Sequence, residues 1–394
     1  MPTEATFLLA GLLIVFAATG WAFAWFGDRD RDSELPARIN ADYIKGLNLV
    51  LNRRTDEALE LFLQMAKVDD DTLETHFALG HLFRRRGEVE RAIRVHQNLL
   101  ARPNLGQAQR DQALYALGED YLGAGLFDRA ENLFGDLTAS DTVAISALER
   151  LVYIYEREQE WEKAIHAHRR LQALSGKKSS QVAHYHCELA ERARRDGDLK
   201  RARECLKNTV SSEAGALRGA LIRAAIAEED GDHALALDLY EQVLDKDSQF
   251  MPEVLPALFD CYAETARLPD FERYIEKLVA RDPSAASSIA YAAIIGDLTD
   301  SEALTRCVEE FVFGDETLAE LVDVDTLRTA TTEHKRQALE RISSALRSLG
   351  LASARYRCAN CGYSTRRFIW HCPSCKQWET LRPMQRFQLD SVIG

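Results

Sequence analysis

The sequence predicts an all-α protein in which repeated helical hairpins form a superhelix. A transmembrane helix precedes the hairpins, and a small metal-binding module follows them. Three observations support this prediction. An uncharged segment opens the chain, small residues recur at a regular interval through its middle, and four cysteines stand in two close pairs near its end. Glycine and proline are scarce, with 21 and 9 copies among 394 residues, which disfavours long disordered tracts.

The first segment has the composition of a membrane anchor. Residues 5–26 contain no charged side chain, and as a helix they span about 33 Å. Basic residues follow this segment and none precedes it, which predicts an external N-terminus and a cytoplasmic remainder. We expect an anchor over residues 1–27 and a linker over residues 28–38. A cleaved signal peptide is the alternative, but the chain lacks a basic start and the apolar run is too long.

The anchor also carries one small-xxx-small pair, Gly20 and Ala24. Such pairs let two transmembrane helices approach closely. The pair therefore makes a homo-oligomer a hypothesis, without deciding the oligomeric state.

Small residues recur in pairs twelve positions apart through residues 39–284. The second members of these pairs follow one another at intervals of 34 or 38 residues, and they are Ala58, Ala92, Ala130, Ala164, Ala202 and Ala236. A period of 34 residues with two helices is the tetratricopeptide repeat. We expect each pair to lie where the two helices of a hairpin approach closely. A further repeat is predicted around Phe259 and Phe271, and residues 285–350 are predicted to form degenerate helical repeats.

Tetratricopeptide arrays bind other proteins on a concave groove. The second, fifth, ninth and twelfth positions of each first helix line that groove. Their mapping by repeat phase selects Tyr43, Leu47, Val50, Phe77, His81, Arg84, Tyr115, Glu119, Leu122, Glu149, Tyr153, Glu156, His184, Glu191 and Arg194. This set lacks the run of lysine, asparagine and arginine residues that would clamp a free C-terminal carboxylate, so we expect an extended or helical protein segment, and not a chain terminus, as ligand. Core packing is the alternative role for each aromatic residue.

The four C-terminal cysteines predict one metal site. Cys358 and Cys361 form one Cys-x-x-Cys pair, and Cys372 and Cys375 form the other after ten intervening residues. Four thiolates in tetrahedral arrangement suit one iron or zinc ion and leave no position open for a substrate. Two disulfides are the alternative, but they require an oxidising compartment. The other cysteines are far apart in apolar patterns and are expected to be buried: Cys187, Cys205, Cys261 and Cys307.

Charge is divided unevenly along the chain. The net charge is −13, yet residues 351–394 hold seven basic and two acidic residues and therefore carry +5. The basic module is thus expected to dock on the acidic remainder, with its arginines and lysines gripping the repeats and offsetting the thiolates. The module also contains the aromatic residues Tyr356, Tyr363, Phe368, Trp370 and Trp378. We favour a small core for these rings over single-stranded nucleic-acid binding, which basic and aromatic mixtures also support.

No catalytic constellation is present in the sequence. It contains no nucleophile elbow, no phosphate-binding glycine loop and no His-Glu-x-x-His motif. The residues alone therefore predict a non-enzymatic, membrane-anchored scaffold. A redox role is the remaining alternative, since thiolate iron sites transfer electrons.

Four segments resemble the lipopolysaccharide assembly protein B family of Gram-negative bacteria. Residues 355–363 (RYRCANCGY) and 370–378 (WHCPSCKQW) look like its rubredoxin-type tail, which makes 351–394 a rubredoxin-like or zinc-ribbon domain. Residues 84–97 (RRRGEVERAIRVHQ) look like its second repeat, and 183–190 (AHYHCELA) look like a later one. The resemblance extends from the anchor to about residue 280 and resumes at the tail.

The resemblance implies a function that composition and spacing do not. The family consists of inner-membrane adaptors for a membrane-anchored AAA+ metalloprotease of the FtsH type. They promote degradation of the lipid A deacetylase, and a membrane partner that senses lipopolysaccharide restrains them. We therefore expect a proteolytic adaptor in the inner membrane. A scaffold that gathers lipopolysaccharide enzymes without directing proteolysis is the alternative.

Overall fold

The computed structural model describes residues 41–52, 54–68, 73–176, 180–209, 215–298, 300–315, 318, 327, 329, 331–384 and 387. The predicted anchor and linker lie outside these residues. No helix within the described part of the chain combines the length and hydrophobicity needed to cross a membrane. The structure divides into two compact units, Met1–Ile154 and Tyr155–Gly394.

The described part of the first unit consists of helical hairpins. Its helices are α1 (Ala41–Leu51), α2 (Thr55–Val68), α3 (Leu73–Arg85), α4 (Val89–Leu100), α5 (Gln107–Gly123) and α6 (Phe127–Asp136). A 3₁₀ turn over Leu137–Ala139 leads to α7 (Ala144–Glu158), which continues into the second unit. The loop between α4 and α5 falls where the longer interval places extra residues.

The small residues have a more specific role than expected. The alanines that form the second members of the pairs are fully buried. The glycines that form the first members face a ring sixteen residues on. A Cβ atom at Gly46 would lie 2.5 Å from Phe62, and one at Gly118 would lie 2.7 Å from Phe134. Glycine is therefore required because the second helix places a ring against the backbone of the first.

The second unit continues the hairpins and ends in a small sheet. Its helices are α8 (Trp161–Ser175), α9 (Gln181–Arg195), α10 (Leu199–Lys207), α11 (Ala216–Glu229), α12 (His233–Lys246), α13 (Met251–Glu264), α14 (Leu268–Arg281), α15 (Ala285–Gly296), α16 (Glu302–Gly314) and α17 (Thr332–Ala352). A 3₁₀ turn over Ser248–Phe250 precedes α13. The predicted pair Phe259 and Phe271 joins α13 to α14, with ring centroids 5.3 Å apart.

A three-stranded antiparallel sheet closes the described chain. Its strands are β1 (Tyr356–Cys358), β2 (Ser364–Thr365) and β3 (Leu381–Pro383), and β1 lies in the middle. Tyr356 pairs with Thr365 on one side and with Pro383 on the other. Side chains of Tyr356, Cys358, Cys372 and Leu381 form its small core. The predicted fold class, tetratricopeptide repeats followed by a metal-binding ribbon, is confirmed.

Candidate metal centre and its contact with the repeats

The four predicted ligands lie together at one end of the sheet. Their Sγ atoms all lie within 4.8 Å of one another. The Sγ atoms of Cys358 and Cys375 are 3.7 Å apart, as are those of Cys361 and Cys372. Metal–sulfur bonds of about 2.3 Å in a tetrahedron require sulfur separations of about 3.8 Å. The donor set therefore fits one iron or zinc ion bound by four cysteines.

Two similar turns present these sulfurs. The backbone N–H of Gly362 donates to the carbonyl of Cys358, and that of Lys376 donates to the carbonyl of Cys372, each over 2.9 Å. The residue after each pair has positive φ, +77° at Gly362 and +58° at Lys376. The glycine adopts this conformation without steric cost, whereas the lysine does not.

The surroundings of Cys358 favour its ionised form. Burial opposes ionisation, but hydrogen bonds from the Thr380 hydroxyl and from the backbone amides of Cys361 and Asn360 outweigh it. They lower the pKa of the Cys358 thiol to about 6. The Sγ atom of Cys358 and Oγ1 of Thr380 are 3.3 Å apart. The ribbon thus prepares a thiolate ligand where a metal requires one.

One tryptophan of the ribbon is held between two histidines. The Trp378 ring stacks on His184 of α9, with centroids 5.0 Å apart and planes 8° apart. It also stacks on His371 of the ribbon at 4.5 Å and 16°. The Trp378 indole N–H donates to Glu156, which also accepts a 2.7 Å hydrogen bond from the Tyr185 hydroxyl. Residues of two helices and of the ribbon itself therefore converge on this one side chain.

A second aromatic contact lies beside the 3₁₀ turn that precedes α13. Phe250 of that turn stacks on Trp370 with centroids 5.8 Å apart. The rings of Phe250 and Phe368 meet edge-on, with centroids 5.7 Å apart. The Tyr356 hydroxyl donates a hydrogen bond to Glu253 of α13. Phe250 is 1% exposed. The ribbon therefore extends the hydrophobic core of the repeats.

The charges at this contact differ from the expected arrangement, in which basic ribbon residues pair with acidic repeat residues. Among the described residues, no arginine or lysine of the ribbon forms an ion pair with a repeat carboxylate. Arg218 of α11 instead lies over the rings of Trp370 and Trp378, 5.5 and 6.0 Å from their centroids. Ribbon Glu379 accepts a 2.9 Å hydrogen bond from the Gly215 amide. One ribbon arginine, Arg382, lies 5.8 Å from the centroid of the Phe250 ring. Ring stacking and cation–π contacts, rather than ion pairs, therefore dominate the contact among the described residues, because rings gain more from burial than exposed ion pairs do.

The contact uses one equivalent position of successive repeats. His184, Arg218 and Glu253 lie 34 and 35 residues apart, and each contacts the ribbon. His184 is the second position of its repeat in the predicted phase, which is the first of the four predicted groove positions. The ribbon thus covers part of the predicted groove in the second unit. Sequence reasoning missed Arg218 and Glu253, although their spacing from His184 was a usable signal.

The other predicted groove residues fall into several environments. Arg84 forms a 2.6 Å ion pair with buried Asp120, and Glu119 forms one of the same length with Arg150. Tyr115 accepts a 3.3 Å hydrogen bond from Arg150. Tyr153 is 38% exposed. Five others line one cleft in the first unit, and they are Tyr43, Leu47, Val50, Phe77 and His81. Their role as partner-binding residues stays a prediction.

The cysteines outside the ribbon are separate from the metal centre. Cys187, Cys261 and Cys307 are buried and Cys205 is partly buried. Burial raises the pKa of the Cys187 and Cys261 thiols to about 12 and that of Cys307 to about 11. These thiols are therefore un-ionised at neutral pH, which makes them poor nucleophiles.

Comparisons with known proteins agree with this architecture. Residues 356–383 match the model of a rubredoxin metal binding domain. Residues 75–108, 115–177 and 187–249 match tetratricopeptide repeat models. Among curated proteins, the chain is similar to lipopolysaccharide assembly protein B of Escherichia coli strain K12. The two are 33% identical over 382 residues, which cover 96% of this chain and 98% of the relative.

A second relative extends the similarity to another genus. Lipopolysaccharide assembly protein B of Haemophilus influenzae is 30% identical over 401 residues, again covering 96% of this chain and 98% of the relative. Both alignments span nearly the full length of the two proteins compared. The chain therefore belongs to the lipopolysaccharide assembly protein B family.

Proposed function

We propose that this chain is a non-enzymatic adaptor of lipopolysaccharide assembly, anchored in the inner membrane by residues 1–27. In this proposal it presents the lipid A deacetylase to a membrane-anchored AAA+ metalloprotease of the FtsH type. A lipopolysaccharide-sensing membrane regulator restrains it. The observation that carries the proposal is the family membership over nearly the whole chain, together with repeats whose groove is partly open.

The structure supports an adaptor more directly than an enzyme. The ribbon closes four sulfurs around one metal position, so a bound ion stabilises the ribbon and has no site for substrate. The repeats offer clefts and aromatic side chains, which are typical of protein-binding surfaces. Neither part provides an activated nucleophile near a base among the described residues.

Effective concentration is the proposed mechanism. The anchor confines the repeats to the plane of the membrane that holds the protease. A substrate captured on the repeats then meets the protease at a concentration set by the linker rather than by diffusion through the cytoplasm. The ribbon contacts α9, α11 and α13 of the second unit at once, which supports a role in holding these helices together.

The half-life of the lipid A deacetylase in cells depleted of this chain tests the proposal. We expect the half-life to lengthen and to be restored by the full chain. A chain without residues 1–27 is expected not to restore it. An unchanged half-life would contradict proteolytic targeting and favour a scaffold that assembles lipopolysaccharide enzymes without degradation.

The ribbon contact can be tested in the same assay. Trp378→Asp removes the ring between the two histidines and leaves all four cysteines in place. We expect it to prevent restoration of the half-life. Tyr363→Asp is the matched control, because Tyr363 is a 38% exposed ring of the same ribbon. Equal restoration by both variants would show that the contact is dispensable for function.

A further inference from the structure

The first unit contains an open apolar cleft between its first two hairpins. The cleft has a volume of about 330 Å³, at the small end of the range of ~300–1,000 Å³ typical of binding sites. Side chains of Tyr43, Leu47, Val50, Phe62, Phe77 and Leu82 provide most of its lining. Phe62 and Leu82 are buried at its base, whereas Leu47 is 40% exposed at its opening. The cleft thus has room for a large side chain rather than for an extended ligand.

The walls of the cleft are held in place by their own hairpins. Tyr43 meets the edge of Phe62 at 5.7 Å, and Phe77 lies 6.0 Å from the ring of buried His96. His96 in turn is hydrogen bonded to buried Asp120 over 2.5 Å. Rigid walls reduce the entropy that binding would otherwise cost, so the cleft is prepared for a ligand before one arrives.

Among the described residues that line the cleft, one is acidic. Glu74, in the first turn of α3, is an exposed lining residue that forms no ion pair with any described residue. His81 also lines the cleft, but burial and the neighbouring Arg84 lower the pKa of its imidazole, which is therefore neutral at pH 7. The described lining therefore presents an apolar interior beside the negative charge of Glu74.

We propose that this cleft binds a segment of a partner protein that inserts one large apolar side chain and places a lysine or arginine against Glu74. The inference rests on the proposed function, because it assigns the recognition step of the adaptor to this cleft. Charge complementarity selects a basic neighbour, and the apolar lining selects the inserted side chain. In the second unit the ribbon inserts Trp378 among repeat side chains in a comparable way, which shows that these hairpins accept a large ring.

Selection from a library of random twelve-residue peptides on the full chain in lipid nanodiscs tests the proposal. We expect the enriched peptides to pair a large apolar residue with lysine or arginine. Leu47→Asp should weaken their binding by at least about tenfold in fluorescence anisotropy, because it places a carboxylate at the opening. Leu63→Asp is the matched control, since Leu63 is 38% exposed on α2 and does not line the cleft.

Charge reversal provides the sharper measurement. Selection on Glu74→Lys should replace the basic residue of the enriched peptides with aspartate or glutamate. Unchanged peptides on Glu74→Lys, or equal affinity for wild type and Leu47→Asp, would overturn the proposal. So would a dimer that Leu47→Asp converts to a monomer in light scattering, because the occupant would then be a second copy.

The peptide selection tests the cleft separately from the half-life measurement, which tests the proteolytic adaptor. A peptide preference that depends on Leu47 and Glu74, with an unchanged half-life, would support the cleft and contradict the proteolytic adaptor. A longer half-life on depletion, without any such peptide preference, would support the proteolytic adaptor and contradict the cleft.

Discussion

Lys376 and Gly362 occupy equivalent places in the two turns of the metal site, yet only one of them is a glycine. Both residues have positive φ, and both donate their amide to the carbonyl of the first cysteine of their pair. An L-residue with a Cβ atom pays about 1 kcal/mol or more for this conformation. In the second turn, metal binding by Cys372 and Cys375 therefore offsets the conformational cost of positive φ at Lys376.

Lys376→Gly should stabilise the metal-loaded ribbon by about 1 kcal/mol, because glycine adopts positive φ without steric cost. The measurement is the denaturant concentration at which the metal is released, followed with a chromogenic chelator. Gly362→Lys is the reciprocal control and should lower that concentration. Changes of the same sign in both variants would contradict the conformational explanation.

His184 is buried against the ribbon, and the pKa of its imidazole is lowered. Burial, together with nearby Arg218 and His371, lowers the pKa of its imidazole from 6.5 to about 4. The unfolded chain then binds more protons than the folded chain between these two values. The contribution of this group to stability is therefore complete above about pH 6.5 and is lost as the pH falls toward 4.

His184→Phe should make the second unit less sensitive to acid, because phenylalanine keeps the stacked ring and removes the titrating group. From about pH 7.5 to about pH 5.5 we expect the wild type to lose about 1 kcal/mol more than the variant. Urea unfolding of both proteins at a series of pH values measures the difference. Parallel pH profiles would show that His184 does not titrate as its burial implies.

Each hairpin of the first unit depends on one glycine facing a ring. The Cβ atom of an alanine at Gly118 would lie 2.7 Å from the ring of Phe134, which is fully buried. Gly135 follows Phe134 in the second helix of the same hairpin. A Cβ atom added at Gly135 would have no neighbouring atom within 4 Å. The two glycines of one hairpin thus have opposite tolerance for a side chain.

Gly118→Ala should destabilise the chain by about 1–3 kcal/mol through overpacking. Gly135→Ala should be neutral or stabilising by up to about 1 kcal/mol, since alanine has the higher helix propensity. Thermal unfolding monitored by circular dichroism compares the two variants with wild type. A destabilisation of similar size in both variants would contradict the ring contact as the reason for glycine at position 118.

At the scale of the whole molecule, the metal centre and the repeats are linked through the aromatic contact. A ribbon of this size gains much of its folding energy from its metal. Loss of the metal should therefore free Trp370 and Trp378 from the repeats. Phe250 and His184, which they cover, would then become exposed to water.

The double variant Cys358→Ser and Cys361→Ser should speed hydrogen exchange in α9 and in the first turn of α13 by about tenfold or more. Mass spectrometry of peptic fragments measures this exchange. Cys205→Ser is the control, because Cys205 is only partly buried and lies outside the metal site. Unchanged exchange in α9 would mean that the hairpins hold their arrangement without the ribbon.

Several features of the fold could be predicted because they depend on local spacing. The 34-residue period follows from residues that meet within one hairpin, and the four-sulfur site follows from two turns of identical spacing. The twelve-residue spacing predicts a contact between two small residues, and it does not predict the ring that faces each glycine. The actual contact joins residues sixteen apart, where the second helix passes the first.

The sequence by itself determined the class of each part, because helical period and thiolate spacing are properties of neighbouring residues. Only the tertiary structure decided which groove positions remain open. Trp378 reaches Glu156 across 222 residues of chain, and no periodicity relates two such positions. His184 is consequently covered by the ribbon, while Leu47 and Phe77, which share the same sequence signal, line an open cleft. Burial depends on what packs against a helix face, and that partner is chosen by the fold of the whole chain.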